Sequence, residues 1–355
     1  MKLLRTHSGA RSADCIRRSL HAVPRQPEPF EDTFVGLIAA RAVTTAVLLG
    51  VFNALAERED DPGGIAARLG LDPLGVEALV GALTALGYLE RADAGRLRNA
   101  PPAARLLVRS SPESIATFAG PQADLHWEIL AMLPEAVRDG RAYAMHEQGR
   151  SRDERWDAYI RGLFEISRPE HDANAALVPV EQPARMADVA GGHGAFAMAM
   201  CRRHPGLVAT VVDLPPAAAV GREIVAEQGF AGRVTFREGD VFELGLDGGL
   251  DVVSAFNLVH HLPEHRDREL VRMALAALRP GGCLVIGDSE RPDPGEPISQ
   301  HGALSSLLFY AWSHGRNFSR HEIAAWLEEA GFREIETHRN ERSPWRVLVI
   351  GRAPG

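Results

Sequence analysis

The stretch Met186-Ala-Asp-Val-Ala-Gly-Gly-His-Gly-Ala-Phe-Ala197 constrains this chain more than any other: a short apolar strand ending on a carboxylate, a glycine turn, then the opening of a helix. Gly191, Gly192 and Gly194 carry no Cβ, so the chain can turn sharply there and let a flat polar ligand meet bare backbone. The amides at the start of the following helix lack intrahelical partners and face the same place.

Two adenosine ligands use such a turn. A dinucleotide is one, because Gly192-x-Gly194-x-x-Ala197 fits the loose nucleotide fingerprint and Asp213 follows about twenty residues on, where a ribose-binding acid belongs. S-adenosylmethionine is the other, and it carries a sulfonium and an ammonium where the dinucleotide carries pyrophosphate. Asp188 would repel the second group and attract the first; at an effective dielectric near 20, a charge pair about 4 Å apart is worth roughly 4 kcal/mol in either direction. The carboxylate favours the sulfonium ligand.

At 355 residues the chain exceeds the length over which one core keeps growing, so two domains are expected. A net charge of -8 offers no basic face for nucleic acid or an anionic membrane. Cys15, Cys201 and Cys283 are odd in number and share no metal-ligand spacing, which points to a reduced, cytoplasmic setting. The longest apolar run, Phe34 to Leu55, is interrupted by Arg41 and Asn53 and reads as a buried helix. Residues 1–28, rich in Arg and Ser, superficially resemble a transit peptide but lack apolar periodicity, so they read as a disordered extension.

From Glu31 to Arg58 the helical pattern is apolar round most of its circumference, as in a core or a subunit interface. Two short helices and a small hairpin follow as far as Leu97, a winged-helix pattern. Its second helix offers Glu77 and no Arg or Lys, so this N-terminal, mainly helical domain (29–107) is expected to dimerise rather than bind DNA. Residues 108–180 read as a helical linker and pocket region in which Trp127, Trp156, Tyr159 and Phe164 are core or pocket wall. Over 181–355 the period switches to alternating strand and helix: an α/β, Rossmann-like domain with seven strands, beginning near Met186, Leu207, Val234, Asp251, Cys283, Glu334 and Trp345. The alternation predicts a parallel sheet, whose ligands bind at the carboxyl ends of its strands.

Those ends carry the candidate site residues. Asp213 is placed to accept from ribose hydroxyls, Asp240 from the adenine amino group beside the Phe242 face, and Asn257 lies on the same rim. His260 is the choice for a general base, since imidazole is largely neutral at pH 7 and can take a proton as a hydroxyl is alkylated. Asp288 could orient His260 or a substrate hydroxyl, or equally cap a turn. Phe309, Tyr310 and Trp312, ahead of the polar loop with His314 and Asn317, are expected with Trp127 and Phe164 to wall the acceptor. A metal reading would use His261 with His265, or with His301 and His314, but Pro263 and the lack of an acidic cluster argue for no metal.

In order and spacing, Asp188-Val-Ala-Gly-Gly-His-Gly194, Asp213-Leu-Pro215, Gly239-Asp240-Val-Phe242, Val259-His260 and Leu278-Arg-Pro-Gly-Gly282 resemble the plant-type, class II small-molecule O-methyltransferases, including their bacterial natural-product branch. The resemblance runs from about Glu31 to the C-terminus. It implies a homodimer through the N-terminal domain, S-adenosylmethionine in the sheet domain and a small, aromatic or polyketide-like acceptor. It also assigns Gly191, Gly192, Gly194 and Asp213 to the methionine and ribose, Asp240 and Phe242 to adenine, and the general base to His260, with Asp188, Ala190, Leu214, Val241 and Asn257 as further cofactor-binding candidates.

Three departures stand out. Ala190 replaces a glycine, which is tolerable if its φ stays negative; His261 stands where Asp is common, and Asn317 where a glutamate often helps orient the base. Carbon or nitrogen methylation on the same fold, metal-assisted or not, a winged-helix regulator that senses a metabolite, and the nicotinamide enzyme stay open as alternatives.

Overall fold

The computed structural model describes residues 29–148, 152–297, 299–340 and 343–355. The extension expected over 1–28, with Cys15, lies outside the described residues. The chain divides into two compact units, the first ending at Asp124 and the second running from Leu125 to Gly355.

In the first unit the run expected as one helix is two, α1 (Pro29–Leu48) and α2 (Val51–Glu57), bent by 56° at a break where Gly50 takes a left-handed φ of 79°. Helices α3 (Pro62–Leu69) and α4 (Pro73–Ala85) start alike. Each has proline in its first turn and an aspartate cap: Asp61 accepts from the Gly64 N–H at 2.8 Å and Asp72 from the Gly75 N–H at 2.7 Å. Strand β1 (Leu89–Arg91) pairs antiparallel with β2 (Leu97–Asn99), and α5 (Pro101–Leu106) follows. Phe52, Ile65, Leu83 and Leu89 form the core of this unit, while Phe30, Phe34, Leu37 and Ile38 of α1 are exposed. Among the described residues no single helix is long and apolar enough to cross a membrane.

Helices α6 (Ala123–Ala131), α7 (Leu133–Asp139), α8 (Met145–Gln148) and α9 (Glu154–Leu177) lead into the alternating region. There β3 (Arg185–Val189), α10 (Ala195–Arg203), β4 (Val208–Asp213), α11 (Pro215–Glu227), β5 (Val234–Glu238), α12 (Val241–Leu244), β6 (Leu250–Phe256), α13 (Glu264–Ala277) and β7 (Leu278–Ser289) succeed one another. Then come α14 (Gln300–Ser313), α15 (Arg320–Ala330), β8 (Arg333–Asn340) and β9 (Ser343–Arg352). All seven strands expected from the sequence form one sheet, in the order β5-β4-β3-β6-β7-β9-β8. It is not parallel throughout: β9 runs antiparallel to both β7 and β8, because β8 returns into β9 as a hairpin rather than through a crossover helix.

Alternation along the strands assigns two faces. Met186, Val211, Val252 and Val285 pack with Phe196 and Ile224, whereas Val189, Val212, Val253 and Leu284 pack with Leu270 and Trp326. The glycine turn after β3 is held from outside by α11: a Cβ on Gly221 would strike the Gly192 carbonyl oxygen and the Phe236 ring. Gly221→Ala is therefore expected to cost about 1–3 kcal/mol as an overpacked contact. A fall in the urea midpoint with an unchanged slope would show it; an unchanged midpoint would mean that turn and helix yield freely.

Candidate active site

A cavity of about 460 Å³ opens at the carboxyl ends of the central strands. Register builds its floor. Asp188 of β3 lies beside Ser254 of β6, so the Ser254 hydroxyl donates to Asp188 Oδ1 at 2.6 Å. Phe256 can lie over β7 because its neighbour there is Gly287, where a Cβ would meet the ring.

Asp188, Ala190, Gly191, Gly192, Asp213, Leu214, Asp240, Val241, Phe242 and Asn257 all line the cavity. Gly194 does not: it starts α10 at a φ of 68° and leaves room for Val225. Asp213 accepts from the Gly192 N–H at 2.7 Å and the Leu214 N–H at 2.6 Å. Asp240 caps α12 by accepting from the Phe242 N–H at 2.9 Å, and Phe242 carries the Arg266 guanidinium over its ring at 4.2 Å. Asn257 takes a left-handed φ of 52° and accepts from Arg346 Nη2 at 3.0 Å. Ala190 corrects an expectation: its φ is 51°, not negative, because the chain leaves β3 here in a left-handed turn, while its N–H still donates to the Val212 carbonyl.

Desolvation sets the electrostatics. Burial pushes the Asp188 carboxyl up to about 7, against the Ser254 hydrogen bond, and the Asp213 carboxyl up to about 6, against its two backbone donors. These groups fit a cation better than a phosphate, because the Gly192 amide that a pyrophosphate would use is already bonded to Asp213. His193, in the turn itself, accepts the Ala195 N–H on Nδ1 and so presents Nε2–H to the Ser167 hydroxyl at 3.2 Å. His171 also lines the cavity and is buried, and its Nδ1 has no partner among the described residues.

The one-turn helix Val259–His261 follows β6. His260 is buried, its Nδ1 2.5 Å from Asp288 Oδ1 and its ring stacked on Phe309 with centroids 3.6 Å apart. It sits between lining residues Leu258 and His261 without lining the cavity itself.

The acceptor wall expected from the sequence is differently placed. None of Trp127, Phe164, Phe309, Tyr310, Trp312, His314 and Asn317 lines the cavity. Phe309 backs His260, and Trp312 is buried behind Tyr159 and His146. Phe164 packs beside His193, and Trp127 is half-buried on α6. Tyr310 sits against His314, itself exposed at the end of α14. Asn317 turns its amide to the Gly302 carbonyl and the Ser305 hydroxyl, both at 3.1 Å. Of α14, Ser313 reaches the cavity instead.

His146, Trp156, Tyr159, Ile160, Leu163, His261 and Leu262 also line the cavity. Trp156 and Tyr159 were within reach of sequence reasoning as an aromatic set at helical spacing; His146 carried no signal. Among the described residues no group of three or more His, Cys, Asp or Glu is placed to hold a metal ion.

Residues 131–333 match the family model of the O-methyltransferase domain and residues 31–110 that of the O-methyltransferase dimerisation domain. The 3-hydroxy-5-methyl-1-naphthoate 3-O-methyltransferase of Streptomyces sahachiroi is 33% identical over 88% of this chain and 91% of its own length. The tetracenomycin polyketide synthesis 8-O-methyltransferase of Streptomyces glaucescens is 27% identical over 94% and 99%. Human N-acetylserotonin methyltransferase, solved in complex with S-adenosylmethionine, shares the fold with a TM-score of 0.83 at 21% identity, over 94% of this chain and all of that one.

Two predictions follow from the turn. Replacing Ala190 by Gly should relieve a left-handed strain of about 1 kcal/mol, partly offset by the freer unfolded chain, and so raise the melting temperature or leave it level; a clear fall would mean the alanine methyl is needed. The second concerns charge. A cation held by Asp188 stabilises its ionised form, so the raised carboxyl pKa must fall on binding. Calorimetry with S-adenosylmethionine at pH 6.5, in buffers of different ionisation enthalpy, should show protons released and affinity weakening as pH drops below about 7. Proton uptake, or none, would refute the pairing.

Proposed function

The chain belongs to the O-methyltransferase family, and from that premise we propose that it methylates a hydroxyl on a small aromatic acceptor, with His260 as general base. The observation that carries the base assignment is the buried pair of His260 Nδ1 and Asp288 Oδ1, 2.5 Å apart. An acid there fixes the tautomer: Nδ1–H donates to the carboxylate, and Nε2 keeps its lone pair. Asp288 comes from the end of β7 and is held in turn by the Ser289 N–H at 2.6 Å, so the ring cannot rotate without losing a buried bond.

When bound, S-adenosylmethionine supplies an electrophilic methyl on a cationic sulfur. The residues around it divide the remaining work. Asp188 and Asp213 offer negative charge in a dry cradle, Asp240 and Phe242 an acceptor and a ring for adenine, and the glycine turn bare backbone. His260 Nε2 takes the proton of the acceptor hydroxyl as its oxygen attacks, and imidazolium formed there is stabilised by Asp288.

The aromatic character of the acceptor is supported by Trp156 and Tyr159 on the wall and by relatives named for naphthoate and polyketide substrates. The same reading makes the protein a homodimer through its first unit, which gives the exposed apolar side chains of α1 a partner.

His260→Ala should lower turnover by roughly a hundredfold to ten-thousandfold while affinity for S-adenosylmethionine stays near native. Asp288→Asn should act in the same direction, since an amide no longer selects the Nδ1 tautomer. Steady-state kinetics with calorimetry separates the two effects, and native turnover in His260→Ala would rule the base out.

A further inference from the structure

We propose that His261, the imidazole next to the base, selects acceptors that carry a second hydroxyl beside the one to be methylated, by accepting a hydrogen bond from it on Nε2. The proposal rests on the methyl-transfer reading above and deepens it.

The argument starts from Ser313, the last residue of α14. Its hydroxyl lies 3.3 Å from the Phe309 carbonyl one turn back, the usual resting place of a helical serine proton, and 2.7 Å from His261 Nδ1. A hydroxyl has one proton. In the proposal that proton stays on the carbonyl; the serine oxygen then accepts from His261, Nδ1 carries the imidazole's hydrogen and Nε2 its lone pair. Nδ1 being engaged by Ser313, Nε2 is the nitrogen His261 has left for the cavity it lines.

His261 cannot easily reorient. The His146 ring meets it edge-on with centroids 4.7 Å apart, and the His260 ring centroid lies 4.2 Å from its own. The cavity also holds Asp188, Asp213, Asp240 and Arg266, but His146, Trp156, Tyr159, Leu262 and Ser313, which line it with His261, offer neutral groups. Burial holds His146 down at about 4 and His261 well below its ordinary value, so neither competes as a cation at neutral pH.

Two adjacent imidazoles thus have different tasks. His260, held by a carboxylate, removes a proton; His261, held by a neutral hydroxyl, accepts a hydrogen bond without removing one. Although His260 does not line the cavity, its ring centroid lies 4.2 Å from that of His261, so an acceptor with neighbouring hydroxyls on one aromatic edge that meets His261 brings its other hydroxyl toward His260. A site built to bond a substrate hydroxyl discriminates against analogues that lack it, because the protein group is then left unpaired.

The test uses three probes with the protein saturated by S-adenosylhomocysteine: 2,3-dihydroxynaphthalene, 2-naphthol and 3-methoxy-2-naphthol. Calorimetry should show the diol binding about tenfold more tightly than both others, the value of one hydrogen bond of about 1.4 kcal/mol. The methoxy compound matters because, beside its one hydroxyl, it offers an acceptor where the diol offers a donor. In His261→Phe the preference should vanish, and His261→Gln, whose amide oxygen can accept, should recover part of it.

Equal binding of diol and methoxy compound, no binding of any probe, or an undiminished preference in His261→Phe would each overturn the inference. Saturable binding of S-adenosylhomocysteine in the same samples tests the methyl-transfer reading separately. Should His261→Phe instead abolish methylation of 2-naphthol, His261 rather than His260 is the base and the selective role is lost.

Discussion

Asp188 is a carboxylate taken out of water with the Ser254 hydroxyl and the Ala197 backbone as hydrogen-bond partners and, among the described residues, no ion-pair partner. Burying an ion without a partner costs several kcal/mol even after the protein relaxes, and the structure tolerates this one only by holding its proton more tightly than usual. Nearly everything else in the second unit is arranged around that position. The parallel register with β6 supplies the serine, Gly191 is a glycine because a Cβ would strike the carboxylate, and α11 presses on the turn through a residue with no side chain. A site built at such a cost makes sense if a cation completes it.

The contrast with the carboxylate behind the base is one of partner, not of burial. Asp288 is as deeply buried as Asp188, yet an imidazole nitrogen lies within hydrogen-bond reach and a backbone amide donates to it. Stacking on Phe309 fixes the plane of the His260 ring and the carboxylate fixes its rotation, so the ring is oriented before any acceptor arrives. His261, one residue on, is held by a neutral group. Two identical side chains in sequence are given separate chemistry by what stands behind each.

Much of this was legible in the sequence. The alternation after Arg185 marked all seven strands, and a carboxylate or asparagine at the end of most of them marked the rim, because in a parallel sheet the strand ends converge on one edge. The antiparallel return of β8 into β9 was not legible: a strand's own pattern is the same whichever way its neighbour runs. Ala190 was misjudged because alanine almost always keeps φ negative, and the left-handed turn that takes the chain out of β3 is not written in the residue type. The single helix expected over Glu31–Arg58 failed at Gly50, which an apolar average over the window conceals.

The acceptor wall separates what each level decides. Residue types and spacing by themselves determined the sheet, the glycine turn, the charge of the cradle and the presence of a histidine beside it, since these depend on backbone periodicity and on local chemistry that short stretches carry. Which side chains face the cavity was decided by the tertiary structure alone. A helix such as α14 can present Phe309, Trp312 or Ser313, and the choice depends on the roll of the helix against its neighbours, a rotation of about 100° per residue that no pattern within the helix can report. Packing turned the aromatic rings behind the histidines and brought His146, some 115 residues distant in the chain, edge-on to His261.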